Sequence, residues 1–159
     1  YYIEHCMSEK PLAKRDRAVM EDRCAATPND ERRRMKELAK AVADIAHEAI
    51  LIGFTRDDVY YTGLSYLFAQ PEFAQQEIAI SFSRILDHLD ESMDRLMDVT
   101  GNECAVVIGD ESPFGIDTAV IIVRYGAEED QVFSILGPTR MDYRENIALA
   151  RYARTLLGK

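Results

Sequence analysis

The chain has few of the residues on which disulfide, metal and phosphate sites depend. Its three cysteines, Cys6, Cys24 and Cys104, are odd in number and show no C-x-x-C spacing. We therefore expect reduced, partly buried thiols in a cytoplasmic protein. The eight glycines are scattered, and none of them forms the closely spaced glycine loop that cradles a phosphate. The apolar runs are all too short to cross a bilayer, so we expect no membrane association.

Basic residues are also scarce. The 159 residues include 19 lysines and arginines against 28 aspartates and glutamates, which gives a formal net charge of −9. Proteins hold duplex DNA largely by neutralising phosphates with lysine and arginine. We therefore expect that this polypeptide does not hold DNA by itself. The basic clusters at residues 14–15 and 32–34 are flanked by acids, which is typical of solvated helix faces.

No residue pattern predicts catalysis. His5, His47 and His88 lie in helical or terminal segments, and none is near a Gly-x-Ser-x-Gly turn. The acidic runs at residues 57–58, 110–111 and 128–130 fall in predicted loops, and no two cysteines or histidines have ligand spacing on one element. We expect no enzymatic activity, no metal and no cofactor.

Hydrophobic periodicity and helix-start signals predict five helices. Residues 1–29 form an N-terminal linker and helical segment, with a short helix at 2–7 and a mixed-charge helix around 14–24. The strongest helix begins after the turn at 27–30 and reaches about residue 52. Another runs from Pro71 to about residue 99, and the last from Asp142 to about residue 157.

The helix over 30–52 carries an apolar seam at alternating steps of three and four. One interpretation is packing against the domain's own sheet, and the other is helix pairing across a dimer. The seam consists of Met35, Leu38, Val42, Ile45, Ala49 and Ile52.

Residue composition in the middle and at the end of the chain predicts β-strands. Residues 104–109, 118–125 and 131–136 are rich in valine and isoleucine and bounded by turn residues, and 59–61 is a brief strand before helical turns at 64–69. The short turn at 126–130 makes the last two strands antiparallel neighbours. We predict an α+β domain over 30–159, with long helices against one face of a mainly antiparallel sheet of three to five strands.

The most informative segment joins the last strand to the last helix. Proline has no N–H for a strand ladder, so Gly137-Pro138 stops the strand, and Asp142 with Glu145 forms a capping box. In one interpretation Arg140 and Asp142 only cap and pair locally. In the other, this polar loop is a surface on which another domain docks. The segment consists of Gly137, Pro138, Thr139, Arg140, Met141, Asp142 and Tyr143.

This segment resembles the C-terminal signature of the HrcA-family heat-inducible transcription repressors. Residues 61–73 are similar to a second family segment, Gly-x-Ser-x-Leu-x-x-Gln-Pro-Glu-Phe, and residues 107–113 are similar to its Ile-Gly-Glu-Glu-Asn-Pro loop. Residues 1–4 resemble those that follow the family's DNA-binding head. The second segment contributes Gly63, Gln70, Pro71, Glu72 and Phe73 as candidate contact residues.

The resemblance implies a GAF-like regulatory and dimerisation domain. The family represses chaperone operons as a homodimer that binds an inverted-repeat operator through a winged-helix head, and the chaperonin is thought to keep it active. This chain lacks the head, and its first residue is tyrosine, which indicates a piece of something longer. Only residues 53–58 stand where the family has strands and an inserted dimerisation domain, so we expect that the insertion is missing.

A competing hypothesis follows from the same resemblance. GAF-like folds often bind small molecules between sheet and loops, so a small-molecule sensor or a plain interaction module is the alternative to a repressor's regulatory domain. Against a sensor, the predicted strands carry few polar groups that would converge on a ligand.

Overall fold

The computed structural model describes residues 2–3, 11–99, 104–115, 117–126 and 131–158. Its centre is a six-stranded sheet in the order β1-β4-β5-β6-β2-β3, in which all neighbours are antiparallel. The strands are β1 (Tyr2–Ile3), β2 (Ala49–Gly53), β3 (Val59–Thr62), β4 (Cys104–Ile108), β5 (Thr118–Tyr125) and β6 (Gln131–Pro138). The helices are α1 (Lys14–Ala25), α2 (Glu31–Ala46), α3 (Leu64–Phe68), α4 (Gln76–Asp87), α5 (Leu89–Val99) and α6 (Tyr143–Leu157). Short 3₁₀ turns lie at Pro71–Phe73 and Gly109–Glu111.

The sheet is covered by helices on both faces. On one face Ile50, Ile121 and Ile135 pack into a core with α1, α2 and α6. On the other face Leu51 and Val120 pack with side chains of α3, α4 and α5. The prediction of helices on one face only was therefore wrong. The α+β class and the mainly antiparallel sheet are confirmed.

Burial on both faces of the sheet explains why the helix predicted to reach residue 52 was too long. The helix ends at Ala46, where His47 adopts a left-handed φ of 56°, and β2 follows at once. Every residue of β2 is buried, as in a central strand that is apolar on both faces. Such a continuous apolar run matches helical spacing as well as strand spacing, so periodicity extended the predicted helix by six residues, to 52.

The apolar seam is therefore not a single helical face. Its last two members, Ala49 and Ile52, lie in β2, and all six pack in this chain's own interior. Ile45 is partly buried and the other five are buried. Packing against the sheet, the first of the two interpretations, is what the structure shows for these side chains.

The second long helix is broken in two. A 3₁₀ turn precedes α4, and α4 ends before His88, whose backbone N–H donates to the Ile85 carbonyl at 3.1 Å. An unbroken helix from 71 to 99 would be about 43 Å long, whereas an eight-residue strand spans about 27 Å. The break lets Met93 and Leu96 of α5 reach the core over the sheet.

Other boundaries agree more closely with the sequence. α1, β3, α3, β5 and α6 lie within about one or two residues of their predicted ranges, the usual scatter of helix and strand ends. The helix predicted at 2–7 is wrong at its start, because Tyr2–Ile3 pairs with β4, and its residues 4–7 lie outside the described part of the chain. Met20 of α1 is fully buried in the core that α2 and α6 share.

Among the described residues, no helix has the length and apolarity that a bilayer crossing requires.

Candidate functional site

Two segments distant in sequence meet where β6 passes into α6. Arg140 lies in the turn between them, and its Nη2 donates to Gln70 Oε1 at 2.6 Å and to Glu72 Oε2 at 3.2 Å. Its Nε donates to Glu72 Oε1 as well. A guanidinium that holds a carboxylate with two N–H groups fixes the orientation of both partners. The pair therefore aligns the 3₁₀ turn after α3 with the turn before α6.

Glu48 lies beneath this pair and contacts both segments. A Cβ added to Gly137 of β6 would lie 2.5 Å from Glu48 Oε2, and one added to Gly63 would lie 2.5 Å from the Glu48 carbonyl oxygen. Gly63 also has a φ of +79°, a conformation that side chains rarely adopt. Gly63 is therefore required by its approach to the Glu48 backbone, whereas a side chain at position 137 would force the Glu48 carboxyl to shift. We call this assembly of Glu48, Gly63, Gln70, Glu72 and residues 137–143 the junction site.

The carboxyl of Glu48 is buried without full compensation. The residue is 6% exposed, and within the described part of the chain its Oε2 has no hydrogen-bond partner. Burial raises its pKa to about 7, because the charged form loses its hydration; the Arg140 charge opposes the rise and the Glu72 charge adds to it. The site therefore contains a carboxyl group that changes charge near neutral pH.

The pKa values of Glu72 and Tyr143, which lie near Glu48 and Arg140, are also shifted. The hydrogen bonds from Arg140 hold the pKa of Glu72 below its usual value. Burial raises the pKa of Tyr143, and the Glu48 charge raises it further. The Tyr143 hydroxyl donates to the Thr139 carbonyl, which closes the turn before α6.

The start of α6 is capped as predicted. Asp142 Oδ1 accepts the backbone N–H of Glu145 at 3.1 Å. The strand before it ends later than predicted, because Gly137 and Pro138 still pair with Ala119 and Thr118 of β5. Proline is tolerated there as the last residue of the strand.

The structure brings together some of the predicted site residues and separates others. Gln70 and Glu72 meet Arg140, while Phe73 and Met141 point into the cores on opposite faces of the sheet. Pro71 and Thr139 are exposed, and Pro138 is buried in the sheet. Sequence reasoning missed Glu48, because the extended helix placed it outside the apolar seam. Its position directly before a fully apolar strand was the one available signal.

No chemistry of metal binding emerges from the described residues, among which no group of three or more histidine, cysteine, aspartate or glutamate side chains surrounds a common point. The junction site is instead a set of hydrogen bonds and close contacts between two segments, with an exposed polar rim. Arg140 keeps 56% of its side chain exposed. The rim can contact another protein surface, whereas Glu48 beneath it sets the electrostatics.

Comparison with known proteins supports an assignment of the whole chain. The family model described as HrcA protein C terminal domain matches residues 2–147. The matched range contains every residue of the junction site.

Curated relatives carry one shared name, heat-inducible transcription repressor HrcA. The protein from Thermomicrobium roseum is 27% identical over 91% of this chain and 41% of its own length. The protein from Pseudarthrobacter chlorophenolicus is 29% identical over 93% of this chain and 44% of its own. The protein from Halalkalibacterium halodurans is 32% identical over 65% of this chain and 31% of its own. This chain thus spans less than half of each of these relatives.

One solved structure shares the fold. A crystal structure of a hypothetical protein at 2.2 Å resolution covers 96% of this chain and 49% of its own, with a TM-score of 0.53 and 15% sequence identity. At that identity the likeness concerns the fold alone.

Proposed function

Because this chain belongs to the HrcA family, whose C-terminal domain model matches residues 2–147, we propose that it is the regulatory and dimerisation domain of a heat-inducible transcription repressor. In this proposal it acts in the cytoplasm, without catalysis, to control chaperone genes negatively in the stress response. The observation that carries the proposal is the junction site. Two family-like segments, 70 residues apart at Arg140 and Gln70, are joined there by hydrogen bonds.

The negative charge of the chain supports a proposal in which a separate head binds DNA and this domain provides dimerisation. With a formal net charge of −9, the chain offers little to neutralise DNA phosphates. A winged-helix head attached before Tyr1 would read an inverted-repeat operator, and this domain would hold two such heads together. A homodimer matches an inverted repeat because both have two-fold symmetry. The chaperonin is a further proposed partner, which would favour the active state.

The rim of the junction site is the proposed contact for the head or for a regulatory partner. Thr139, Arg140 and Asp142 are exposed on a turn that is anchored on both sides, by β6 and by α6. Loops held by a rigid scaffold often carry binding residues. Local capping by Asp142 is compatible with this role, since its carboxylate needs only one oxygen for the cap.

A chimera tests the proposal. The head of the Thermomicrobium roseum repressor is joined to Tyr1, and binding to an inverted repeat and to a single half-site is measured by gel shift at one fixed salt concentration. We expect the chimera to bind the inverted repeat much more tightly than the half-site, and the isolated head to bind both weakly. Equal affinity of the chimera for the two DNAs would contradict the proposal.

The contact role of Arg140 has a matched control in the loop between β2 and β3. Arg56 also holds two carboxylates on the surface, those of Asp94 and Asp98, but it lies away from the junction site. We expect Arg140→Gln in the chimera to weaken operator binding or its regulation while the melting temperature stays close to that of the parent. Arg56→Gln should change neither. Equal effects of both substitutions on DNA binding would leave the rim without a specific role.

A further inference from the structure

A cleft of about 320 Å³ lies between α4 and the loop that leads into β5. Its deep part is aromatic: Phe73, Phe82 and Phe114 line it, and the rings of Phe82 and Phe114 are 6.4 Å apart between centroids. These three side chains are at most 3% exposed, so they belong to a packed core and form a fixed floor. The volume lies at the lower end of the range for small-molecule sites, about 300–1,000 Å³.

The polar groups of the cleft are few and have one sign of charge. Glu77 of α4 and Asp117 before β5 are exposed acids at its mouth, and its described lining contains no lysine, arginine or histidine. Ser81 and Thr118 add hydroxyl groups. Thr118 is held in place, because its hydroxyl donates to the Gly115 carbonyl at 2.7 Å and lies 2.6 Å from the Ser112 hydroxyl.

We infer that this cleft binds a small organic cation with an aromatic or aliphatic body, of the arylalkylammonium class. The apolar body would lie on the phenylalanine rings, and the ammonium group would face Glu77 and Asp117. The two carboxylates attract a cation, whereas an anion of the same shape would be repelled. The inference goes beyond the proposed repressor role, which requires no ligand.

A ligand in the cleft would affect the junction site through two adjacent residues. Phe73 lines the cleft, and Glu72, its neighbour in the same 3₁₀ turn, holds Arg140. A ligand that fixes this turn would therefore also fix the partner of Arg140. The cleft would serve as an effector site for the exposed rim.

Three probes of one shape and different charge test the inference on the 159-residue chain. They are 2-phenylethylammonium, neutral 2-phenylethanol and anionic 3-phenylpropanoate, with binding measured by calorimetry and by thermal shift. We expect the ammonium probe to bind about tenfold more tightly than the alcohol, and the carboxylate to bind most weakly. The preference should shrink as salt is raised, because the two acids are exposed.

Variants locate the site and separate its two recognition elements. Ser81→Phe should block all three probes by filling the cleft, and Glu77→Gln with Asp117→Asn should abolish the charge preference while the alcohol still binds. Glu111→Gln removes an exposed acid outside the lining and should change nothing. Absence of ammonium binding at millimolar concentration, equal binding of the three probes, or an undiminished preference in the double variant would each overturn the inference. The operator experiment with the chimera is independent of all three outcomes.

Discussion

Glu48 is a buried carboxyl group with a raised pKa and too few hydrogen-bond partners. Its carboxyl is buried against Gly137, it is charged only above a pKa of about 7, and the nearest compensating cation, Arg140, is already held by Glu72 and Gln70. A buried charge without enough hydrogen bonds destabilises the fold. The position therefore links the stability of the junction site to protonation.

The first prediction concerns the pH dependence of unfolding. Because the folded pKa of Glu48 is raised from 4.5 to about 7, the folded state binds more protons than the unfolded state between these values. The stability contributed by the protonated carboxyl is complete below about pH 4.5 and is lost as pH rises through 7, a change of about 3 kcal/mol. Glu48→Gln should therefore stabilise the chain at pH 8 and flatten its profile between pH 5 and 7, as measured by urea unfolding.

The control for this prediction has the opposite sign. The pKa of Glu72 is lowered by Arg140, so the contribution of Glu72 is present above its unfolded pKa and is lost as pH falls through its folded value. Glu72→Gln should thus alter the acid limb and leave most of the slope between pH 5 and 7, because burial is the largest cause of the raised Glu48 pKa and the Glu72 charge is a smaller one. An unchanged slope in Glu48→Gln would show that Glu48 is not the titrating group.

A second prediction uses the contact between Gly137 and Glu48. Gly137→Ala places a methyl group where the Glu48 carboxyl lies, so we expect a loss of about 1–3 kcal/mol in the free energy of unfolding. In the background of Glu48→Ala the same substitution should cost much less, because the clash is gone. Additive costs in this double-mutant cycle, measured by chemical denaturation, would contradict the contact.

At the scale of the element, the start of α6 depends on a local cap. Asp142 satisfies the backbone N–H of Glu145, which has no partner within the helix. We expect Asp142→Ala to lower the free energy of unfolding by about 1 kcal/mol, and Asp142→Ser to retain most of it, since serine also caps well. Thermal denaturation of the two variants measures the difference. Equal losses in alanine and serine would assign the effect to something other than the cap.

Some helices and strands can be located from local sequence signals and others cannot. Local signals located α6 and β5, because a cap, turn residues and valine-rich runs act over a few positions. They failed at β2, whose run from Ala49 to Gly53 is apolar on every residue because both faces of the sheet are covered. They also failed at His88, where the helix is interrupted although neither proline nor glycine stands at the break.

The junction site was predictable in its parts but not in its assembly. The segments around Gln70 and Arg140 are visible in the sequence, and Asp142 was identified as a cap. That Arg140 reaches Gln70 and Glu72, and that Glu48 lies beneath them, depends on the pairing of β2 with β6. Such pairing joins residues far apart along the chain, and no local pattern encodes it.

For the whole molecule, the chain is an acidic α+β domain of the HrcA family, and the role proposed for it is to hold two DNA-reading heads together. The apolar seam over 35–52 supports this chain's own core, so a dimer must use other surfaces. Exposed apolar side chains remain at Val19, Tyr61 and Ile80. Isolated exposed residues of this kind are common, and they assign no interface by themselves.

The most direct measurement is the mass of the purified 159-residue chain in solution by sedimentation equilibrium over a wide range of concentrations. We expect a reversible species of twice the 18.1 kDa of one chain, with a fraction that rises with concentration. A single 18.1 kDa species at every concentration would contradict the claim that this domain brings two heads together.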